Sequence, residues 1–227
     1  MTYTTLITVE QLQTLQASSA PLMVFDCSFD LGNPAAGSGL YDQGHIPGAV
    51  YAHLDKHLSA KGDPAAASGG RHPLPSRETF AAWLGSVGFA NGMQAVVYDR
   101  QGAHYCGRLW WMLKWLGHEA VAVLDGGFPA WQAAGGAVQT QAPAGQAAAS
   151  FQLKEPAARL VTVAEVQQQL GKDQHIIDAR ALPRFKGEVE PLDPVAGHIP
   201  GALNRPFTNN LGAVSYTHLT LPTSDLV

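Results

Sequence analysis

Gly44-His45-Ile46-Pro47-Gly48-Ala49 occurs twice in the chain, returning unchanged as Gly197-His198-Ile199-Pro200-Gly201-Ala202. Neither copy is low-complexity. Each follows an apolar run that ends in aspartate, Val24-Phe25-Asp26 in the first case and Ile176-Ile177-Asp178 in the second. The agreement extends upstream, where Leu6-Ile7-Thr8-Val9 returns as Leu160-Val161-Thr162-Val163. Matched segments held at a nearly constant separation are the signature of an internal duplication. The chain therefore reads as one domain followed by the opening part of a second copy.

Between these markers, helical and strand patterns alternate. Thr8 precedes Val9, Leu12 and Leu15 at helical spacing and suits an N-cap. Leu22-Met23-Val24-Phe25 is a short apolar run of the kind buried on both faces of a sheet. Leu31 to Leu40, rich in Gly, Ala, Asn and Pro, reads as loop. The His-Ile-Pro-Gly-Ala motif supplies a turn leading into a very short strand, since Pro fixes φ and Gly permits a reversal. Asp55 to Pro75 is a long loop, and Ser76 caps a helix with Phe80, Trp83, Leu84 and Val87 facing inward. Gln94 to Tyr98 is a strand ending at Asp99. Gln101 to Cys106 is a loop, Arg108 to Leu116 a helix, Ala120 to Leu124 a strand closed by Asp125-Gly126-Gly127, and Phe128 to Ala134 a last short helix. This alternation predicts an α/β fold, a parallel sheet with helices on both faces. The expected domains are 1–137 and 158–213, joined by a linker at 138–157.

Composition narrows the function classes. A net charge of −4 gives no reason to expect nucleic acid or an anionic membrane. No apolar run approaches the ~18 residues of a membrane span. The start lacks a basic, then apolar, signal segment. With only Cys27 and Cys106, a disulfide framework is not expected, and a reducing, cytoplasmic setting is the default. The nine His show no paired ligand spacing, so no metal site is expected.

The motifs together resemble the tandem rhodanese-type sulfurtransferases of the thiosulfate and 3-mercaptopyruvate class. Those that carry the resemblance are the two His-Ile-Pro-Gly-Ala copies, Gly70-Arg71-His72-Pro73-Leu74-Pro75, Arg108-Leu109-Trp110-Trp111-Met112, Val123 to Trp131, and Asp178-Ala179-Arg180 followed by Arg184-Phe185. The resemblance implies two rhodanese domains, the first non-catalytic. The second would carry a nucleophilic Cys at a strand end, inside a loop whose N–H groups and following helix favour a thiolate. Such an enzyme moves a sulfane sulfur from a small-molecule donor to cyanide or a thiol through a Cys persulfide, with no cofactor. A monomer is expected, without nucleic-acid or membrane partners.

Position by position, the first copy has Asp99 where the nucleophile would stand. A carboxylate cannot hold sulfane sulfur as a persulfide. Carried the same distance beyond His198, the equivalent of Asp99 falls past Val227. The chain as given is thus expected to be C-terminally truncated and inactive. Residues 214–227 resemble the translation of a sequencing adapter and are set aside as a non-native tail.

The resemblance assigns Arg184 to the donor's anionic group, a task suited to a guanidinium. Arg180 is a weaker candidate, more readily an ion pair or turn cap with Asp178. His45 and His198 are expected to brace their turns, because the inert first copy has the same His. Cys106 and Cys27 are expected to be structural thiols. Trp110, Trp111 and Trp115 are expected in packing rather than ligand stacking. Asp125-Gly126-Gly127 lacks the Lys and Ser/Thr of a phosphate loop. Two other functions compete with the enzyme: a non-catalytic rhodanese-like binding domain, and a rhodanese-related phosphatase, whose Cys-x5-Arg motif is absent.

Overall fold

The computed structural model describes residues 2–143, 145 and 147–212. The chain divides into two compact units after Arg159. The tail assigned to 214–227 lies outside the described residues.

The first unit opens with β1 (Leu6–Ile7) and α1 (Val9–Ala17). Thr8 caps α1 in a full capping box: its hydroxyl accepts from Gln11 N–H, and the Gln11 side chain accepts from Thr8 N–H at 2.9 Å. β2 (Leu22–Asp26), α2 (Ala36–Gln43) and β3 (Val50–Tyr51) follow. After the long loop come α3 (Arg77–Ser86), capped by Ser76, and β4 (Gln94–Tyr98), buried along its whole length. α4 (Cys106–Trp115), β5 (Val121–Leu124) and α5 (Gly127–Ala133) complete the set. The loop expected at Leu31 to Leu40 is a correction: α2 begins inside it at Ala36. No side chain caps α2, but Gly37 lies against the Ser28 carbonyl and Tyr41 donates its hydroxyl to Ala49 O at 2.6 Å. Tertiary contacts impose a helix that glycine-rich sequence does not announce.

The sheet order is β1-β5-β4-β2-β3, with every neighbouring pair parallel. Alternate residues of the strands feed two cores. Val24, Val96, Tyr98, Ala122 and Leu124 pack with Val9 and Leu12 of α1 and Phe128 and Trp131 of α5. On the other face, Phe25 meets Trp83 of α3 and Phe89, while α4 lies along β4 and β5. Helices thus cover both faces, and β4 is the central strand.

Residues 138–157 contain no helix or strand among those described. Described residues among them nevertheless pack on the first unit. Gln139 and His45 exchange backbone hydrogen bonds of 2.8 and 2.9 Å, and Ala149 N–H donates to Gly85 O at 2.9 Å. Phe151 is buried and stacks on Phe89 at 5.7 Å. This packing carries the first compact unit through Arg159.

The second unit holds α6 (Val163–Gln169), β6 (Ile177–Asp178), α7 (Leu182–Lys186) and β7 (Leu203–Asn204), then a 3-10 turn at Phe207–Asn210. Its details repeat the first. Thr162 caps α6 in a capping box with Glu165. β6 and β7 pair in parallel with Ile177 opposite Leu203, as Phe25 of β2 stands opposite Val50 of β3. No helix among the described residues is long and apolar enough to cross a membrane.

Candidate functional site

The duplicated hexapeptide is a brace in both units. His45 Nδ1 lies 2.8 Å from Tyr41 O, and the imidazole stacks on the Tyr41 ring at 3.8 Å. His198 Nδ1 lies 2.6 Å from Phe185 O and stacks on Phe185 at 3.7 Å. In each turn the Ala N–H closes onto the Ile carbonyl at 2.9 Å. Gly48 and Gly201 take φ of 77° and 80°, a conformation that a Cβ would strain. Each imidazole holds its turn through Nδ1 and its ring stack, as expected from the repeat.

Asp99 leaves the carboxyl end of the central strand, the edge where open parallel sheets place their ligands. Its buried carboxylate gathers the loop that follows. Oδ1 accepts N–H from Gln101 and Ala103, both at 2.9 Å. Oδ2 accepts from Tyr105 at 2.8 Å and Cys106 at 3.0 Å. The last two donors lie at the start of α4, which has no other side-chain cap, so Asp99 also serves that helix end. Ala103 holds a positive φ of 63° to bring its N–H inward. From behind, Phe128 N–H donates to Asp99 O at 3.1 Å, and a Cβ on Gly127 would sit 2.4 Å from that oxygen. The result is an anion cradle filled by the protein's own carboxylate.

The two thiols beside it are closed off. Cys106 and Cys27 are both buried. Burial pushes the Cys106 thiol well up, with Asp99 adding to the rise, and burial followed by Asp26 and Asp99 does the same to Cys27. Neither has thiolate character or access, which sulfur chemistry needs. Trp115 is buried, Trp110 donates Nε1–H to Thr4 O and Val121 O at 3.1 Å each, and Trp111 stacks on Trp115.

Arg100, which the sequence reading overlooked, links this site to the hexapeptide. It reaches Asp26 at 3.5 Å, Leu40 O at 3.3 Å and Gly44 O, with its guanidinium 3.8 Å above Phe128. Arg180 does the corresponding work in the second unit. It binds Asp178 through Nε at 3.0 Å and Nη2 at 2.6 Å, and Gly197 O at 2.6 Å. Its own N–H also caps onto Asp178 Oδ1 at 2.9 Å. The hydrogen bond from Arg180 lowers the Asp178 pKa. Arg180 is therefore occupied as an ion pair and turn cap.

α7 presents Arg184 beside a carboxylate that the sequence reading also missed. Glu190 grips Nε at 3.2 Å and Nη2 at 2.7 Å, and Asp193 approaches Nη2 at 3.0 Å. Glu190 is held in turn by N–H groups of Leu192 and Asp193, each at 3.0 Å, and by Arg180 at 3.3 Å. These bonds, that from Arg184 foremost, bring the Glu190 pKa down to about 2. The only signal for Glu190 in the sequence was an acid a few residues after the arginine in a loop. The structure places Arg184 and Arg180 around one carboxylate. Asp99 belongs to the other unit.

A central parallel sheet whose middle strand opens into an N–H-lined anion loop is an open α/β fold with its anion site at the carboxyl edge, and comparison with known proteins gives its family. The family model for the rhodanese-like domain matches residues 8–134. A probable 3-mercaptopyruvate sulfurtransferase of Pseudomonas aeruginosa is 44% identical over 210 residues, 92% of this chain and 72% of its own length. The thiosulfate sulfurtransferase of Gallus gallus is 34% identical, over 85% of this chain and 65% of its own. The structure of the 3-mercaptopyruvate sulfurtransferase from Leishmania major superposes with a TM-score of 0.77 at 31% identity, over 95% of this chain and 59% of its own. The chain belongs to the rhodanese family. It spans less than two thirds of the last two of these relatives.

Proposed function

We propose that this chain is the front portion of a sulfurtransferase taking the thiol sulfur of 3-mercaptopyruvate, whose C–S bond breaks to release pyruvate, or the outer sulfur of thiosulfate, to cyanide or a thiol. In the reaction a Cys thiolate attacks the donor's transferable sulfur. With thiosulfate the S–S bond breaks and sulfite leaves. The outer sulfur of the resulting persulfide then passes to cyanide as thiocyanate, and the thiolate is restored.

The observation that carries the reading is Asp99. It fills a four-donor anion cradle at the end of the central strand, where a thiolate would receive the same stabilisation. The first unit is therefore a scaffold without a nucleophile. The second unit repeats the capped helix, parallel strand pair and braced turn that precede the cradle in the first. Its own cradle, with Cys in place of Asp99, would follow beyond Val227 in a longer chain. Arg184 is the residue for the donor's carboxylate or thiosulfonate. A small-molecule donor and acceptor, a monomer and a cytoplasmic setting complete the reading.

A cyanide-dependent thiocyanate assay on the 227-residue chain tests this. No turnover is expected, because neither thiol is accessible. Robust activity that Cys106→Ser abolishes would overturn the assignment. In the parent gene, Asp or Ser at the second unit's counterpart of Asp99 would remove the enzyme reading.

A further inference from the structure

The two carboxylates on Arg184 hold it in different ways. Glu190 is built in: its side chain is 5% exposed, it takes two guanidinium N–H groups on one edge, and its oxygens are shared with Arg180 and two backbone N–H groups. Asp193 is 48% exposed and meets Arg184 Nη2 through one oxygen at 3.0 Å. Three carboxylates, Asp178, Glu190 and Asp193, thus face two guanidiniums, those of Arg180 and Arg184. An anion arriving from solvent finds Arg184 Nη2 already engaged.

Resting on the assignment of Arg184 to the donor's anionic group, we propose that Asp193 is a built-in competitor for that site. Its carboxylate occupies the place on Arg184 that the donor's anion takes, so that binding exchanges one carboxylate for another. Glu190 is the positioning residue that keeps the guanidinium plane fixed during the exchange. Its bond to Asp193 N–H sets the backbone from which Asp193 reaches across. Exposed pairs of this kind are weak enough to be displaced and strong enough to tax a competitor.

The test is a titration with thiosulfate and, separately, with pyruvate of the longer chain in which the second unit is completed and its expected nucleophile replaced by Ser, followed through the Arg184 Nε–H resonance and by calorimetry. Asp193→Asn is expected to tighten both anions by about 2- to 5-fold, the gain from removing a surface competitor. Glu190→Gln is expected to weaken both, because the guanidinium loses its fixed plane. Glu188→Gln, which removes a nearby exposed charge paired with Lys186 at 3.8 Å, is expected to leave binding unchanged. Arg184→Ala is expected to abolish binding. The inference is overturned if Asp193→Asn leaves the affinity unchanged or lowers it, or if Glu188→Gln or Glu190→Gln tightens binding equally, since a general charge effect would then suffice. If Arg184→Ala binds as the parent chain does, the assignment of Arg184 itself fails.

Discussion

A thiolate and a carboxylate make similar demands on a loop, because each is an anion stabilised by several N–H groups aimed at one point. At Asp99 the loop satisfies two oxygens where the family's chemistry would need one sulfur. The cradle can thus persist in the first unit without being an active site. Its donors have no alternative acceptor in view. Asp99→Ala should leave four loop N–H groups facing a buried hole, at a cost of roughly 3–5 kcal/mol from lost charged hydrogen bonds. Asp99→Asn keeps one acceptor oxygen and should lose about half of that. Urea unfolding of the two variants measures the difference. Equal stability in both, near that of the parent, would mean that the cradle is incidental to the fold. The role of this residue was legible in the sequence only through the family's order of motifs. Nothing local to Asp99 distinguishes it from any strand-ending aspartate.

The elements divide according to how local their causes are. α1 and α3 follow from Thr8 and Ser76 caps and a helical apolar stripe, and β2 and β4 from apolar runs of strand length, so the sequence reveals them. α2 follows from packing: Gly37 and Gly39 argue against a helix, and only contact with Ser28 and the Tyr41 hydroxyl bond explain it. A Cβ at Gly37 would sit 2.2 Å from Ser28 O and 2.4 Å from the Tyr51 hydroxyl. Gly37→Ala should therefore destabilise the first unit by about 1–3 kcal/mol, although helix propensity alone predicts a gain of about 1 kcal/mol. Thermal unfolding decides the sign. The same division holds at the candidate sites. The brace formed by His45 was readable because the repeat supplied its own control. The grip of Glu190 on Arg184 was not, since it depends on how a loop folds back over α7. The two braces also differ in setting, with His45 buried and His198 exposed. His45→Ala should cost about 2–3 kcal/mol and His198→Ala less than about 1 kcal/mol, the difference tracking burial. Equal costs would show that the turn, rather than the core around it, sets the energy.

At the scale of the whole molecule, the two units answer to different conditions. In the first, His57 is stacked on Trp83 and its Nδ1 accepts His53 N–H at 3.0 Å, while His53 Nδ1 accepts Asp55 N–H at 3.1 Å. Both bonds require neutral rings. Burial lowers the pKa of His53, His57 and His118 below the ordinary value. The unfolded chain then takes up protons near pH ~6.5 that the folded chain refuses, so the stability of the first unit should fall as pH drops below that point. His57→Gln keeps an acceptor without the titration and should flatten this part of the profile. The second unit has the opposite problem, a lack of cover. Val9 is 6% exposed and its counterpart Val163 is 77%; Phe25 is fully buried and its counterpart Ile177 is 53% exposed. In the first unit β2 is flanked by β3 and β4, whereas among the described residues β6 pairs only with β7. A two-stranded sheet with an open edge and an uncovered apolar face cannot offset the entropy of ordering its chain. Residues 160–227 expressed alone should therefore show no cooperative urea transition and should aggregate through the exposed strand. On the proposal that a longer chain completes this unit, the same segment should become cooperative when those further residues are appended. A sharp, reversible transition in the isolated segment would mean that its capping boxes and ion pairs, rather than a buried core, are sufficient to hold it.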